Sequence, residues 1–171
     1  GTMREPIYLD HNATTPLLPE ALDAMLPYLR GRYGNPSSQH LYGQIARKAV
    51  EHARQQVAGL IGATAEEIIF TSGGTEANNL AIRGSADAFP DKRHVITCNV
   101  EHSATGMVCT WLESRGHRVT RVPVEPSGRV RAADAIAALA SDTLLVTIMH
   151  ANNETGVLQP VAEIGRAARE K

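Results

Sequence analysis

The sequence has little of what marks the more conspicuous protein classes. Its 171 residues include only two cysteines, Cys98 and Cys109. They form no C-x-x-C pair and do not suggest a secreted disulfide framework. Cys98 falls in an apolar, strand-like run and Cys109 on a helix with an inward face, so both read as buried structural thiols. No apolar run approaches the length of a membrane span. Residues 1–30 lack the continuous apolar core of a signal peptide, which points to the cytoplasm. The net charge is −1 and the basic residues are scattered, so nothing draws the chain to nucleic acid or to an anionic membrane. No histidine pair has a ligand spacing such as H-E-x-x-H, and no metal site is expected. Gly1-Thr2 ahead of Met3 has the look of a remnant of tag removal. Apolar residues make up 43% of the chain, an ordinary share that is sufficient for a packed core.

What is present centres on one stretch, Ile68-Ile69-Phe70-Thr71-Ser72-Gly73-Gly74-Thr75-Glu76-Ala77-Asn78-Asn79-Leu80. The apolar start predicts a buried strand over 68–70, and the later residues predict a helix. Small residues join them. A strand that turns through glycines into a helix presents unpaired N–H groups and the positive end of the helix dipole, an anion site and most often a phosphate site. Gly73 and Gly74 let the backbone approach a ligand, and Thr75 adds a hydroxyl. No Lys follows the glycines, so this is not a P-loop, and the pattern does not match G-x-G-x-x-G. Taken locally, the same residues also fit a plain turn with an N-cap.

The rest of the chain alternates. Helices are expected over about 19–29 and 40–60, the first with Ala21, Leu22, Met25 and Leu29 along one side. The second carries Leu41, Ile45, Ala49, Val50, Ala53, Val57 and Leu60 as an apolar stripe. Further helices are expected near 75–85, 103–114 and 131–140, and a last one from Pro160 still running at Lys171. Strands are expected at 94–98, 118–122 and 143–149. Strand and helix taking turns at short intervals predict an α/β fold, a parallel-rich sheet flanked by helices.

In such sheets ligands bind beyond the carboxyl ends of the strands. The glycine turn, Val100-Glu101-His102, and His150-Ala151-Asn152-Asn153-Glu154-Thr155-Gly156 all follow expected strands. An imidazole and an amide beside a phosphate cradle make a compact set. Singly, His102 also fits a locally satisfied helix N-terminus, and Asn152 and Asn153 a simple turn. His40, His52, His94 and His117 read as surface or helix-end residues.

These residues resemble a known family, the NifS/IscS-like cysteine desulfurases and the related selenocysteine lyases of the class V aminotransferase group. The matching segments are Tyr8-Leu9-Asp10-His11-Asn12-Ala13-Thr14-Thr15-Pro16, Gly34-Asn35-Pro36-Ser37-Ser38 with His40 and Gly43, the 70–79 stretch, Glu101-His102, and the stretch from Met149 to Gly156. They stand in the family's order and span nearly the whole chain. The resemblance implies part of the large pyridoxal-phosphate-binding domain of the aspartate-aminotransferase fold. It implies residues 1–17 as tag remnant and arm, 18–62 as N-terminal helices, and 63–171 as a partial α/β domain. It further implies a homodimeric enzyme with pyridoxal 5'-phosphate as cofactor. That enzyme takes sulfur from L-cysteine, leaving alanine and a persulfide for a sulfur acceptor or iron–sulfur scaffold protein. By position, Gly74 and Thr75 correspond to the phosphate-binding pair. His102 corresponds to the catalytic imidazole that stacks on the pyridine ring, and Asn153 to the amide near the phenolic oxygen and the substrate carboxylate.

The departures from the family are as informative. Its members are longer. Their Schiff-base lysine, the Asp that pairs with the pyridine nitrogen and the sulfur-accepting Cys have no counterpart here. Lys48, Lys92 and Lys171 lack the lysine's context. The chain is therefore expected to correspond to the N-terminal portion of such an enzyme and to be inactive alone. A selenocysteine lyase, or a non-catalytic part acting with a partner chain, are the alternatives.

Overall fold

The computed structural model describes residues 6–171, so Gly1 and Thr2 lie outside the described residues. The chain divides into two units, one ending at Phe70 and one running from Thr71 to Lys171.

The first unit holds two helices. α1 spans Pro19–Arg30 and starts with proline in its first turn, where the missing N–H costs nothing. α2 spans Leu41–Ile61 and stops at Gly62, whose φ of 69° is the left-handed conformation that glycine adopts freely. The Nδ1 atom of His40 caps α2 by accepting from the Gly43 N–H at 3.4 Å. The 34–38 loop is held on α2 by Arg47, which donates to the Pro36 and Ser38 carbonyls at 2.8 and 3.1 Å. The approach is close. A Cβ on Gly43 would overlap the Ser38 carbonyl oxygen and stand 2.7 Å from that of Asn35, and one on Gly34 would overlap the Tyr42 carbonyl. These contacts explain why glycine sits at positions 34 and 43.

The apolar stripes expected to face inward do so only in part: Ala21, Ala49, Val50 and Ala53 are half-buried, and the remaining residues are open. Leu22, Met25 and Leu29 are exposed on α1, and Leu41, Ile45, Val57 and Leu60 on α2. Within α2 only Gly43, Ala46 and Ala58 are buried. Helical periodicity identified the apolar face correctly, but burial also needs something to cover it, and nothing among the described residues does. The strand expected at 68–70 does not form either. A short 3-10 turn, Ala65–Glu67, leads into it. The Ile68 N–H bonds back to Ala65, and Arg54 takes the Ile68 carbonyl. Ile69 and Phe70 are exposed. An apolar run becomes a strand only where a partner supplies its ladder, and this one has none among the described residues.

The second unit is a three-layer sandwich. Its elements are α3 (Gly74–Ala88), β1 (His94–Cys98), α4 (Ser103–Ser114), β2 (Arg118–Val122), α5 (Ala132–Ala137), β3 (Thr143–Val146) and α6 (Val161–Arg169). The strands form one parallel sheet in the order β2-β1-β3, as the alternation of strand and helix predicted. β1 is central and buried along its whole length. Its alternating residues serve two cores. On one face Val95 packs with Ile82 and Ala86 of α3 and with Val108, Cys109 and Leu112 of α4. On the other, Ile96 and Cys98 pack with Val122, Val130, Ala135 of α5 and Ile164 of α6. Both cysteines are free and buried, as expected.

Four expectations in this unit need correction. β3 stops at Val146 rather than 149, and α5 is six residues long rather than ten. α6 ends at Arg169, with Glu170 and Lys171 beyond it. His94 is not a surface residue. Its side chain is fully buried and spans the sheet, with Nδ1 2.9 Å from Thr143 Oγ1 on β3 and Nε2 2.8 Å from Thr120 Oγ1 on β2. A histidine opening a central strand has a strand on either side, and two threonines satisfy its ring. No helix among the described residues is long and apolar enough to cross a membrane.

Candidate functional site

The carboxyl ends of β1 and β3 open into a cleft of about 450 Å³ lined by residues 100–103 and 152–155. Two sequence-predicted residues, His102 and Asn153, meet there. His102 is the N-cap of α4, and its Nδ1 accepts from the Ala104 N–H at 3.1 Å. The local reading of this residue, a satisfied helix start, is thus correct, and it does not compete with a ligand role. With Nδ1 committed as an acceptor, the ring proton sits on Nε2. The imidazole is held at one nitrogen and presents the other.

Asn153 sits in a compact turn built by its neighbour. Asn152 Oδ1 accepts from the Glu154 and Thr155 amides, both at 3.0 Å. The Asn152 N–H donates to Val157 O at 3.0 Å, and the Gly156 N–H to Asn152 O at 2.8 Å, with Gly156 at φ 74°. The base of the turn is tied down by Gln159, which is buried. It accepts from the Val130 N–H at 2.8 Å and donates to Gly128 O at 2.9 Å. Asn153 itself makes no hydrogen bond among the described residues and is exposed. Its amide is free for a ligand.

Two further cleft residues escaped the sequence reading as site-builders. Glu101 Oε1 accepts from the Met149 N–H at 2.6 Å and from the Cys98 thiol at 3.3 Å. Asn152 Nδ2 donates to Val100 O at 3.2 Å. Both link the two strand-end loops across about fifty residues of sequence. The sequence signals were a polar side chain just past an apolar strand and a place in the segments that match the family, and neither shows that these residues tie the two loops together. Burial pushes the Cys98 thiol up to about 12, with the Glu101 carboxylate adding to the effect. Burial also raises the Cys109 thiol. Neither is a thiolate at neutral pH.

Gly74 and Thr75 lie in the first turn of α3 and do not line this cleft. The geometry of the turn still suits an anion. Gly73 is the N-cap, and no side chain caps the first turn, which leaves helix N–H groups open. Nothing stands within 4 Å of where a Cβ on Gly73 or Gly74 would be. The Glu76 carboxylate is engaged by Ser72, accepting from its hydroxyl at 2.5 Å and its N–H at 2.7 Å, and these bonds hold its pKa below the usual value. The open helix start fits a phosphate group, and the pinned flat ring and free amide of the cleft fit a flat, polar ligand, a donor set compatible with a phosphorylated aromatic cofactor of the pyridoxal phosphate type. Among the described residues, no lysine lines the cleft, and no His, Cys, Asp and Glu cluster is arranged to hold a metal ion.

Comparison with known proteins points the same way. The family described as Aminotransferase class-V matches residues 7–171. The chain is 52% identical over 170 residues to a protein named cysteine desulfurase IscS from Anaeromyxobacter sp. (strain K), covering 98% of this chain and 42% of that protein. A solved structure named NifS-like protein superposes with a TM-score of 0.93 at 38% identity, covering 96% of this chain and 46% of that one. A second, SspA in complex with cysteine, gives a TM-score of 0.91 at 39% identity, covering 95% and 47%. The chain thus spans less than half the length of these relatives.

Proposed function

The chain belongs to the class-V aminotransferase family and shares the fold of NifS-like cysteine desulfurases, and on that premise we propose that the whole protein is a pyridoxal-phosphate-dependent cysteine desulfurase. It would convert L-cysteine to L-alanine and deliver the sulfur, as a persulfide, to an acceptor or iron–sulfur scaffold protein. The observation that carries the proposal is the meeting of His102 and Asn153 in one cleft, on a chain half identical to a desulfurase over almost all its length. The names of the relatives favour cysteine over selenocysteine. The proposal extends to a homodimer working in the cytoplasm.

Pyridoxal phosphate, when bound, supplies the electron-poor ring that stabilises charge at the substrate's α-carbon. The described residues do the holding. The first turn of α3, with Gly74 and Thr75, binds the phosphate through backbone N–H groups and the Thr75 hydroxyl. His102 offers a flat face to the pyridine ring. Because the helix cap occupies Nδ1, any proton it exchanges passes at Nε2. Asn153 donates its unused amide to an oxygen of cofactor or substrate. The sulfur-accepting thiol is neither Cys98 nor Cys109, since burial keeps both protonated.

The test is alanine release from L-cysteine by the full-length protein with pyridoxal phosphate present, with His102→Ala and Asn153→Ala alongside. Release that falls about 100-fold or more in His102→Ala is expected. A full-length protein that releases no alanine overturns the proposal. The 171-residue chain alone is expected to be inactive.

A further inference from the structure

The ladder between β1 and β3 ends sooner than the sequence predicts, and the side chain that ends it points to an additional role. The last regular bond runs from the Thr147 N–H to Ile96 O at 2.8 Å. In a parallel ladder the next amide in phase is that of Met149, and its acceptor would be the Cys98 carbonyl. Instead the Met149 N–H turns to Glu101 Oε1 at 2.6 Å. A carboxylate has taken the place of the backbone acceptor, and the chain leaves the sheet for the Asn152–Asn153 turn. The Cys98 thiol donates to the same oxygen at 3.3 Å and fixes the carboxylate's orientation. Cys98 is buried, so this anchor does not swing. Asn152 adds a second link by donating to Val100 O at 3.2 Å. Between the two loops that line the cleft, these side-chain bonds replace the ladder.

We propose that Glu101 is the positioning residue of the cleft: by its bond to Met149 it sets the spacing between the loop carrying His102 and the loop carrying Asn153, and with it the fit of the cofactor. Glu101 is adjacent to His102, so a change in where its carboxylate is held is passed directly to the cap of α4. A carboxylate–amide bond of this length is a strong, charge-assisted one. What the role requires is an acceptor at the right reach. Gln keeps that reach and an acceptor oxygen. Asp keeps the charge and falls short by about one carbon–carbon bond, roughly 1.5 Å. The inference rests on the desulfurase reading only for what the cleft binds.

The test compares Glu101→Gln, Glu101→Asp and Glu101→Ala in the full chain, with two readouts. The first is hydrogen exchange at the Met149 amide, which needs no cofactor. Exchange is expected to stay near wild type in Glu101→Gln. In Glu101→Asp and Glu101→Ala it is expected to rise about tenfold, the equivalent of one lost hydrogen bond. The second is the affinity for pyridoxal phosphate, which is expected to weaken in the same two variants while the thermal midpoint of Glu101→Asp holds. A support role without positioning would move the midpoint and not the affinity. Should Glu101→Ala fail to fold, the Gln and Asp pair still decides. Loss of protection in Glu101→Gln, or unchanged protection in Glu101→Asp, overturns the proposal. A wild-type chain that takes up no pyridoxal phosphate counts against the functional reading, while the exchange ranking still scores Glu101.

Discussion

The two units are ordered by different means. From Thr71 onward, side chains do the work. Val95, Ile96, Cys109 and Leu112 are within 1% of complete burial and lie on both faces of a sheet. Before Phe70, the described order comes from backbone meeting backbone at Gly34 and Gly43, from Arg47 clasping a loop, and from caps. The large apolar residues of that unit lie open, Leu60 at 85% and Leu41 at 67% exposure. An apolar stripe at helical spacing is therefore not evidence of a core. It becomes one only when another layer covers it.

The protein supplies its own probes for this contrast. Trp111, the single tryptophan, is in the second unit, with the Arg83 and Arg115 guanidinium groups 4.1 and 4.9 Å from its ring. Tyr8, Tyr28, Tyr33 and Tyr42, the four tyrosines, are in the first. The largest effect is expected from Ile96→Ala. It removes a fully buried side chain from the central strand and should lower the stability reported by Trp111 fluorescence in urea by about 3–4 kcal/mol. A loss under about 1 kcal/mol would mean that the central strand is not tightly packed. Gly43→Ala should come next, at about 1–3 kcal/mol, read from tyrosine signals, because the new methyl must displace the Ser38 and Asn35 carbonyls. If the tyrosine and tryptophan transitions move together in both variants, the contrast between the units is broken.

Local patterns were read well from sequence, and tertiary ones were not. β1, α4 and β2 fall on the expected residues because Gly116, Pro90 and the apolar runs punctuate them locally. The residues after the apolar strands, His102 among them and Asn152 and Asn153 together, stand out by position, while the family resemblance singled out Asn153. The errors share a cause. The burial of His94 depends on threonines 26 and 49 residues away. Beyond the end of β3 the Met149 N–H is taken by a carboxylate 48 residues earlier. Ile68, Ile69 and Phe70 have strand composition but no partner strand among the described residues. In each case the deciding group lay outside any local window.

His94 gives the second unit a pH axis of its own. Burial is the main cause of its lowered pKa, the nearby Arg118 guanidinium adds to it, and Asp142 opposes both. Arg118 and Asp142 also pair with each other at 2.9 Å at this end of the sheet. The folded pKa thus lies below the ordinary histidine value of about 6.5. Above that value the ring is neutral in both folded and unfolded states, and stability does not depend on it. As pH falls below it, the unfolded chain takes up the proton first and the folded state loses ground, by at most about 1.4 kcal/mol per pH unit. Urea titrations followed at Trp111 between pH 7 and 5 should show this slope in the wild type. His94→Gln should be less stable at pH 7 and shallower in slope. An equal slope in both would assign the acid sensitivity to carboxylates instead.

The smallest effect is the sharpest test of how the first unit is built. Leu60 is the most exposed of the α2 stripe. Truncating a side chain that is already in water removes almost no buried area, so Leu60→Ala should change stability by less than about 0.5 kcal/mol. Leu41→Ala, also largely exposed, should behave alike. Helix propensity even favours alanine at both positions by a small margin. A loss near 2 kcal/mol, read from the tyrosines and growing with protein concentration, would show that another surface covers this face in solution. The stripe would then be an interface, and the first unit would depend on side-chain burial as much as the second.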